Sequence, residues 1–457
     1  MTTATTRRLT LASYDPANGQ QLGEVEITPV DQITSIVASA RRAQEDWGAH
    51  HLDARADALR PLADRLRDRR DEAANLITAE MGKTLREAQG EIDAITEGLN
   101  AELRSITQAL QPEHFESDGI RSIQHQDPLG VVAAITPWNY PMMMPHWLLI
   151  PALVAGNAVI LKPSEETPLC GAFYASLFDE LLPANVLQTV QGADDQGKAL
   201  VEADIDLIAF TGSRETGRKV LAAAAQGIKR AILELGSKDP LIVLDDANID
   251  DAVAFAARSS FANAGQACVS TERIYVHHTI YDTFLNKLVS AAVATHAGDG
   301  RNPDHTLGPM VNARQRDHVL AQIADAKARG ARVLQGVTTH GNTLQPVVIA
   351  DFTHEMDLAR IETFGPVAAV RSFSDDEQAI QLANDSDLGL GAAVFGEPEH
   401  AETIAARLKV GMVGINKSVG SAHGCPWVGA RQSSYGFHSS REGHRQFAQT
   451  RVVSRLI

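Results

Sequence analysis

The segment DPLGVVAAITPWNYP, residues 127–141, decides the fold. Asp127-Pro128-Leu129-Gly130 reads as a turn, since Pro fixes φ and Gly opens conformations closed to other residues. The apolar run Val131–Thr136 behind it reads as a buried strand. Downstream, Ala158–Leu161, Val186–Val190, Leu207–Phe210, Arg230–Glu234 and Leu241–Val243 read as strands. Helices are expected over Ala172–Leu181 and Gly217–Gln226. This alternation is the signature of a parallel, doubly wound α/β sheet. A second α/β series follows Cys268. It contains Arg273–Val276, the helices Tyr281–Ala294 and Arg314–Arg329, then Ala331–Leu334, Val367–Phe373 and the helix Glu377–Asn384. Two such units in succession predict two Rossmann-like domains with a ligand cleft between them. Upstream, residues 31–110 carry helical periodicity, with Asp31 as the expected N-cap and a long pattern through Leu52–Leu85. Ile120–Gln126 reads as a strand.

The chain has 457 residues, enough for two or three domains. A net charge of −16 argues against nucleic acid or an anionic membrane as partner. Arg65, Arg67, Arg69 and Arg70 are interleaved with Asp68 and Asp71 and read as a solvated helix face. The N-terminal stretch MTTATTRRLTLASYDP has no apolar h-region, and no apolar run is long enough to span a bilayer. Cys170, Cys268 and Cys425 are too few and too scattered for a disulfide framework and suit a reducing compartment, the cytoplasm. No pattern of metal-ligand spacing occurs.

Two glycine-rich segments test for phosphate binding. Gly192 to Ala199 nearly fits GxxxxGK[ST], but Ala199 lacks the magnesium-binding hydroxyl and Asp194 with Asp195 would repel phosphate. Gly212-Ser213-Arg214-Glu215-Thr216-Gly217 follows a strand and opens a helix. Free N–H groups and the positive dipole end there suit a pyrophosphate.

Six further segments occur in order: Pro137-Trp138-Asn139-Tyr140-Pro141, Lys162-Pro163-Ser164-Glu165, Glu234-Leu235-Gly236, Gly265-Gln266-Ala267-Cys268, Glu362-Thr363-Phe364-Gly365-Pro366 and Gly414-Ile415-Asn416-Lys417-Ser418. Their order and spacing resemble the aldehyde dehydrogenase superfamily over nearly the whole chain. The resemblance implies oxidation of an aldehyde to the acid through a thiohemiacetal and a thioester on Cys268. Asn139 and the backbone N–H of Cys268 would hold the oxyanion. Glu234 would activate the hydrolytic water. Lys162, Ser164 and Glu165 would bind the adenosine ribose, Gly212, Ser213 and Gly217 the pyrophosphate, and Trp138, Leu235, Glu362 and Phe364 the nicotinamide end. A carboxylate at Glu165 repels a 2′-phosphate, which favours NAD, with NADP possible. The implied division is residues 1–115 and 127–236 for the cofactor, 237–435 for catalysis, and 116–126 with 436–457 as a β arm. Pairing of that arm between chains implies a homodimer or homotetramer.

The sequence departs from the family pattern in three places. Ser237 stands where a second glycine follows the base, and a side chain there threatens to shift Glu234. Val428, Arg431 and Ser434 alter the C-terminal Gly-Gly-x-Lys-x-Ser-Gly pattern, in a loop expected to lie far from the hydride chemistry. Trp147 occupies the position at which succinate-semialdehyde enzymes of the family often carry Arg. Met142, Met143 and Met144 precede it, so the segment reads either as an apolar helix packed in the core or as a tunnel lining. An indole cannot pair a carboxylate, so a tunnel lined by Trp147 fits an apolar or aromatic aldehyde better than a semialdehyde. Two competing readings remain at this stage: a CoA-acylating enzyme, and a silent NAD-binding relative supported by Ser237.

Overall fold

The computed structural model describes residues 9–335 and 337–457; the first eight residues of the N-terminal stretch, and Gly336, lie outside them. The run Val131–Ile135 is fully apolar, is buried along all but its last residue, and forms the centre of a six-stranded sheet. Ala158–Lys162 pairs with it on one side and Leu207–Thr211 on the other, both parallel. Leu187–Thr189 and Arg230–Glu234 extend the two flanks, and Ser434–Tyr435 closes one edge antiparallel. Strand order therefore reverses beside Val131–Ile135. A ligand crevice is expected at such a reversal, at the carboxyl ends of the strands.

The second series forms a seven-stranded sheet, and Leu241–Val243, expected to close the first series, belongs to it instead. Its parallel core runs Val347–Ala350, Val367–Phe373, Thr271–His277, Asp239–Val243, Gly391–Phe395 and Met412–Ile415, with Arg332–Val333 antiparallel at the edge. Both doubly wound α/β units expected from the alternation are present. The third sheet joins Glu113–Ser117, Ile120–Pro128 and Ala448–Leu456. Ser434 and Tyr435 fall inside 237–435 by sequence, yet they hydrogen-bond to the first sheet.

The helical stretch 31–110 is five helices: Ile33–Ala49, Leu52–Leu59, Pro61–Asp68, Arg70–Met81 and Leu85–Leu110. Asp31 is not an N-cap. Pro29 opens a 3₁₀ turn over Val30–Gln32 that swallows Asp31, and Gln32 precedes the helix without a side-chain cap. The last helix is capped properly: Thr84 and Glu87 form a reciprocal capping box. The helix expected over Ala172–Leu181 starts and ends earlier, at Pro168–Ser176, because Pro168 suits the first turn, where its missing N–H costs nothing. Met143–Val154 is helical and apolar on every side, and it lies almost wholly in the core.

Lys83 and Glu91 pair at 2.7 Å with both side chains fully buried. Glu91 also accepts the backbone N–H groups of Met142 and Met143 at 2.9 and 3.0 Å. It thus fixes the turn that carries Asn139. Removing one partner of a buried pair strands the other charge, so Glu91→Ala should cost about 3–5 kcal/mol. The expected readout is a clearly lowered melting temperature; an unchanged melt would contradict the anchoring role.

Candidate active site

Glu234 ends the last parallel strand of the first sheet, and its side chain is about 5% exposed. Cys268 lies between the turn Ala262–Gly265 and the strand Thr271–His277 of the second sheet. The two sheets bring these side chains face to face although they are far apart in sequence. Burial first, then the Glu234 carboxylate beside it, push the Cys268 thiol well above its usual range. The resting thiol is therefore protonated, with a carboxylate facing it. Oε1 of Glu234 is buried without a hydrogen-bond partner in the protein. Oε2 is held by Nε2 of His438 at 3.1 Å.

The bend before Cys268 is made by Asn263, Ala264 and Gly265, all at positive φ. At Gly265 a Cβ would lie 2.0 Å from the Gly365 carbonyl oxygen. The Gly265-to-Cys268 and Glu362-to-Pro366 segments are therefore in direct backbone contact. Asn139 is buried, and its side-chain amide donates to the Gln266 carbonyl at 3.1 Å, two residues ahead of Cys268. Asn263 returns a bond to the Asn139 carbonyl at 3.1 Å.

Glu362 lies against Gly236, where a Cβ would meet its Oε2 at 2.3 Å, and Oε1 accepts the Ser237 N–H at 2.8 Å. Burial, then the Glu272 charge, push Glu362 up to about 8. Trp138 and Phe364 pack edge to face with centroids 5.4 Å apart. Phe364 and Thr363 donate their backbone N–H groups to Glu272, both at 2.8 Å, and Lys238 pairs with Glu272 while reaching Thr363 Oγ1 at 2.8 Å. Lys238 and Glu272 stand outside the six segments that mark the site in the sequence. Their signal was a buried Lys beside the base and an acid at a strand start, both obvious only once the fold pairs them.

Ser237 does not disturb the site. It is absent from the positive-φ residues. Its hydroxyl turns away from Glu234 to bond Asp239 and accept the Leu390 N–H at 3.2 Å. The C-terminal loop, by contrast, is not remote as expected. Ser434 sits opposite Glu234 in antiparallel register, and Leu235 donates to the Ser433 carbonyl at 2.8 Å. Four residues on, His438 reaches the Glu234 carboxylate.

At the strand reversal a cavity of about 630 Å³ is lined by Ile135, Thr136, Lys162, Ser164, Glu165 and Thr211, among others. Lys162 stands 3.9 Å from Glu165 and donates to the Pro163 carbonyl. Burial lowers its pKa against the pull of Glu165. Ser164 turns back to accept the Glu166 N–H at 3.2 Å. Ser213 is the N-cap of the helix Arg214–Gln226 and accepts the Thr216 N–H. Gly217 lets Leu235 pack on that helix, since a Cβ there would meet Leu235 Cδ2 at 2.4 Å. The near-match at Gly192 to Ala199 is the entry to the helix Asp194–Glu202.

A cavity of about 300 Å³ is lined by Met143, His146, Trp147, Trp427, Glu102 and His444 among others, with no Lys or Arg. Trp147 packs against Trp427 at 5.6 Å and against the His438 ring at 5.4 Å.

The comparisons with known proteins agree with this arrangement. The description "Aldehyde dehydrogenase family" fits residues 2–453. The chain is 36% identical to aminoaldehyde dehydrogenase 2, peroxisomal, of Malus domestica, over 97% of this chain and 92% of that protein. It is 35% identical to succinate-semialdehyde dehydrogenase, mitochondrial, of Mus musculus, over 97% and 87%. Among solved structures, an E. coli NADP dependent enzyme superposes with a TM-score of 0.95 at 33% identity, over 98% of this chain and 95% of the other. Betaine aldehyde dehydrogenase from Staphylococcus aureus, solved with NAD+, superposes at 0.94 with 31% identity, over 98% and 91%. A thiol and a carboxylate meeting between two nucleotide-type sheets, in a chain matched from end to end, lead to one conclusion: the protein belongs to the aldehyde dehydrogenase family, NAD(P)-dependent oxidoreductases acting on aldehydes.

Proposed function

We propose that Cys268 attacks the aldehyde, that Asn139 and the Cys268 N–H hold the resulting oxyanion, and that Glu234 activates the water that ends the cycle. The observation carrying this reading is the Glu234 carboxylate beside the half-buried Cys268 thiol, with one carboxylate oxygen left without a protein partner. The thiol passes its proton to solvent as sulfur bonds the carbonyl carbon. NAD(P)+, when bound, supplies the hydride acceptor that turns the adduct into a thioester. Water then adds to the thioester carbonyl and gives its proton to Glu234. The C–S bond breaks to release the acid, and the leaving sulfur takes the proton back from Glu234. The spare N–H of the Asn139 amide is free to face an oxyanion, because only one bond from it is made to Gln266.

The cofactor fits the crevice at the strand reversal. Lys162 and Glu165 would hold the adenosine ribose, with Ser164 shaping the wall. Gly212, Ser213 and Gly217 would bring the helix N-terminus to the pyrophosphate. Glu362 would hold the second ribose, with Trp138, Leu235 and Phe364 around the ring. Glu165 is partly exposed on the cavity wall and charged, which favours NAD. Glu165→Ser should raise kcat/KM for NADP+ relative to NAD+ about fivefold, since a like charge at ~4 Å costs about 1 kcal/mol even in water. Equal ratios for both forms would remove Glu165 from the cofactor site.

Substrate enters, in this reading, past Trp147 and Trp427. The two indoles, with the Glu102 carboxyl and no Lys or Arg on the same wall, favour an aromatic aldehyde over one ending in carboxylate. A panel of aldehydes followed at the NADH absorbance tests this, with succinate semialdehyde expected to rank below aromatic aldehydes. Water is the acyl acceptor because a carboxylate, not an open channel, faces the thiol; added CoA should leave turnover unchanged. The Ser237 geometry removes the main support for a silent relative.

The arm is proposed to pair two chains into a dimer, or two dimers into a tetramer. Val452, Val453, Leu456 and Phe115 leave its sheet exposed and apolar. The three cysteines are free, which suits the cytoplasm. Among the described residues no helix is long and apolar enough to cross a membrane.

A further inference from the structure

His438 has no place in the reading above, yet it is the residue that touches the base. Its Nε2 lies 3.1 Å from Oε2 of Glu234, and both side chains are about 95% buried, being 4% and 5% exposed. A carboxylate only accepts hydrogen bonds, so Nε2 must carry the proton. The Ser439 hydroxyl stands 3.2 Å from Nδ1. The ring is clamped as well. Trp147 packs on it at 5.4 Å, and Trp427 donates its backbone N–H to the His438 carbonyl at 3.0 Å. The next two residues, Ser439 and Ser440, both hold positive φ, and Ser439 lies at φ 57°, ψ 177°, ground that residues other than glycine rarely occupy. Against the other side of the same backbone, Gly443 leaves no room for a Cβ, which would stand 2.6 Å from the His438 carbonyl carbon. Backbone strain held in place by this much surrounding structure points to a side chain that must face one way.

We infer that His438 is a positioning residue: its Nε2–H pins Oε2 of Glu234 and leaves Oε1 turned toward Cys268. The carboxylate has two oxygens and only one is tied. Oε1, buried and without a protein partner, is the atom that can take a proton from the attacking water. Without the imidazole, the carboxylate rotates freely and both oxygens lose the fixed approach. Proton abstraction by a group out of line is slow even when the group itself is intact. The role rests on the assignment of Glu234 as base, and it predicts a selective defect. Hydride transfer needs the sulfur adduct and the cofactor; thioester hydrolysis needs the aimed carboxylate at the moment water attacks.

The test compares His438→Leu, His438→Gln and Glu234→Gln in the full-length protein, by rapid mixing with an aldehyde substrate and NAD+. His438→Leu should give a burst of one NADH per Cys268 followed by a steady rate reduced on the order of 10–100-fold. His438→Gln, whose side-chain amide can donate to Oε2 from nearly the same place, should recover most of the steady rate. Thermal melts and NAD+ binding of both variants should match the parent. A His438→Leu protein that folds, binds NAD+ and turns over at the parental steady rate overturns the inference. So does a Gln variant that folds normally and is as slow as Leu. If Glu234→Gln itself shows no slowed hydrolysis, the assignment of the base fails instead, which separates the two.

Discussion

Cys268→Ala should abolish NADH formation from every aldehyde, with turnover lowered more than about 10⁴-fold while NAD+ still binds, as removal of a nucleophile does elsewhere. No other cysteine can substitute. Cys170 is buried beside Glu80, and Cys425 is exposed in the C-terminal loop. The environment of Cys268 adds a pH signature. Its thiol is raised by burial and by the facing Glu234 carboxylate, so the thiolate fraction is small at neutral pH. It rises about tenfold per pH unit until the pKa is reached. Alkylation of Cys268 by iodoacetamide should climb with that slope between about pH 7 and 9. Glu234→Gln removes the neighbouring negative charge and should make alkylation at pH 7 faster, not slower. A flat pH profile would mean that the thiol is already ionised and that the described surroundings do not govern it.

Glu234→Gln should stall the cycle after hydride transfer. The amide keeps the shape of the side chain but cannot take a proton from water. Loss of a general base of this kind costs about 10²–10⁴-fold. The expected trace is a burst of one NADH per subunit followed by near silence. Loss of the burst together with the steady rate would place Glu234 earlier in the reaction, at activation of the thiol alone. A binding module that merely held NAD would give neither phase in any variant.

The apolar strand Val131–Ile135 and the alternation beyond it were legible because a parallel sheet buried on both faces leaves a local signature. The six spaced segments were legible because each needs particular residue types at short range. Three features were not. Asp31 looks like a helix cap, but a 3₁₀ turn opened by Pro29 takes up Asp31 and the α-helix begins only at Ile33. Ser237 raised a doubt that only φ and the position of Asp239 could settle. His438 carried no local signal, since it lies 204 residues from the carboxylate it touches. The mistake over the C-terminal loop has the same origin. Antiparallel pairing of Ser434 with Glu234 is long-range register, which sequence spacing does not encode.

The account depends on an acyl group forming on one sulfur. Intact and peptide mass spectra of Glu234→Gln, quenched in acid after mixing with an aldehyde and NAD+, test it most directly. A mass increase equal to the acyl group, located on the peptide containing Cys268 and absent without NAD+, is the predicted result. NADH formation with that peptide unmodified, or with the acyl group on another residue, would contradict it.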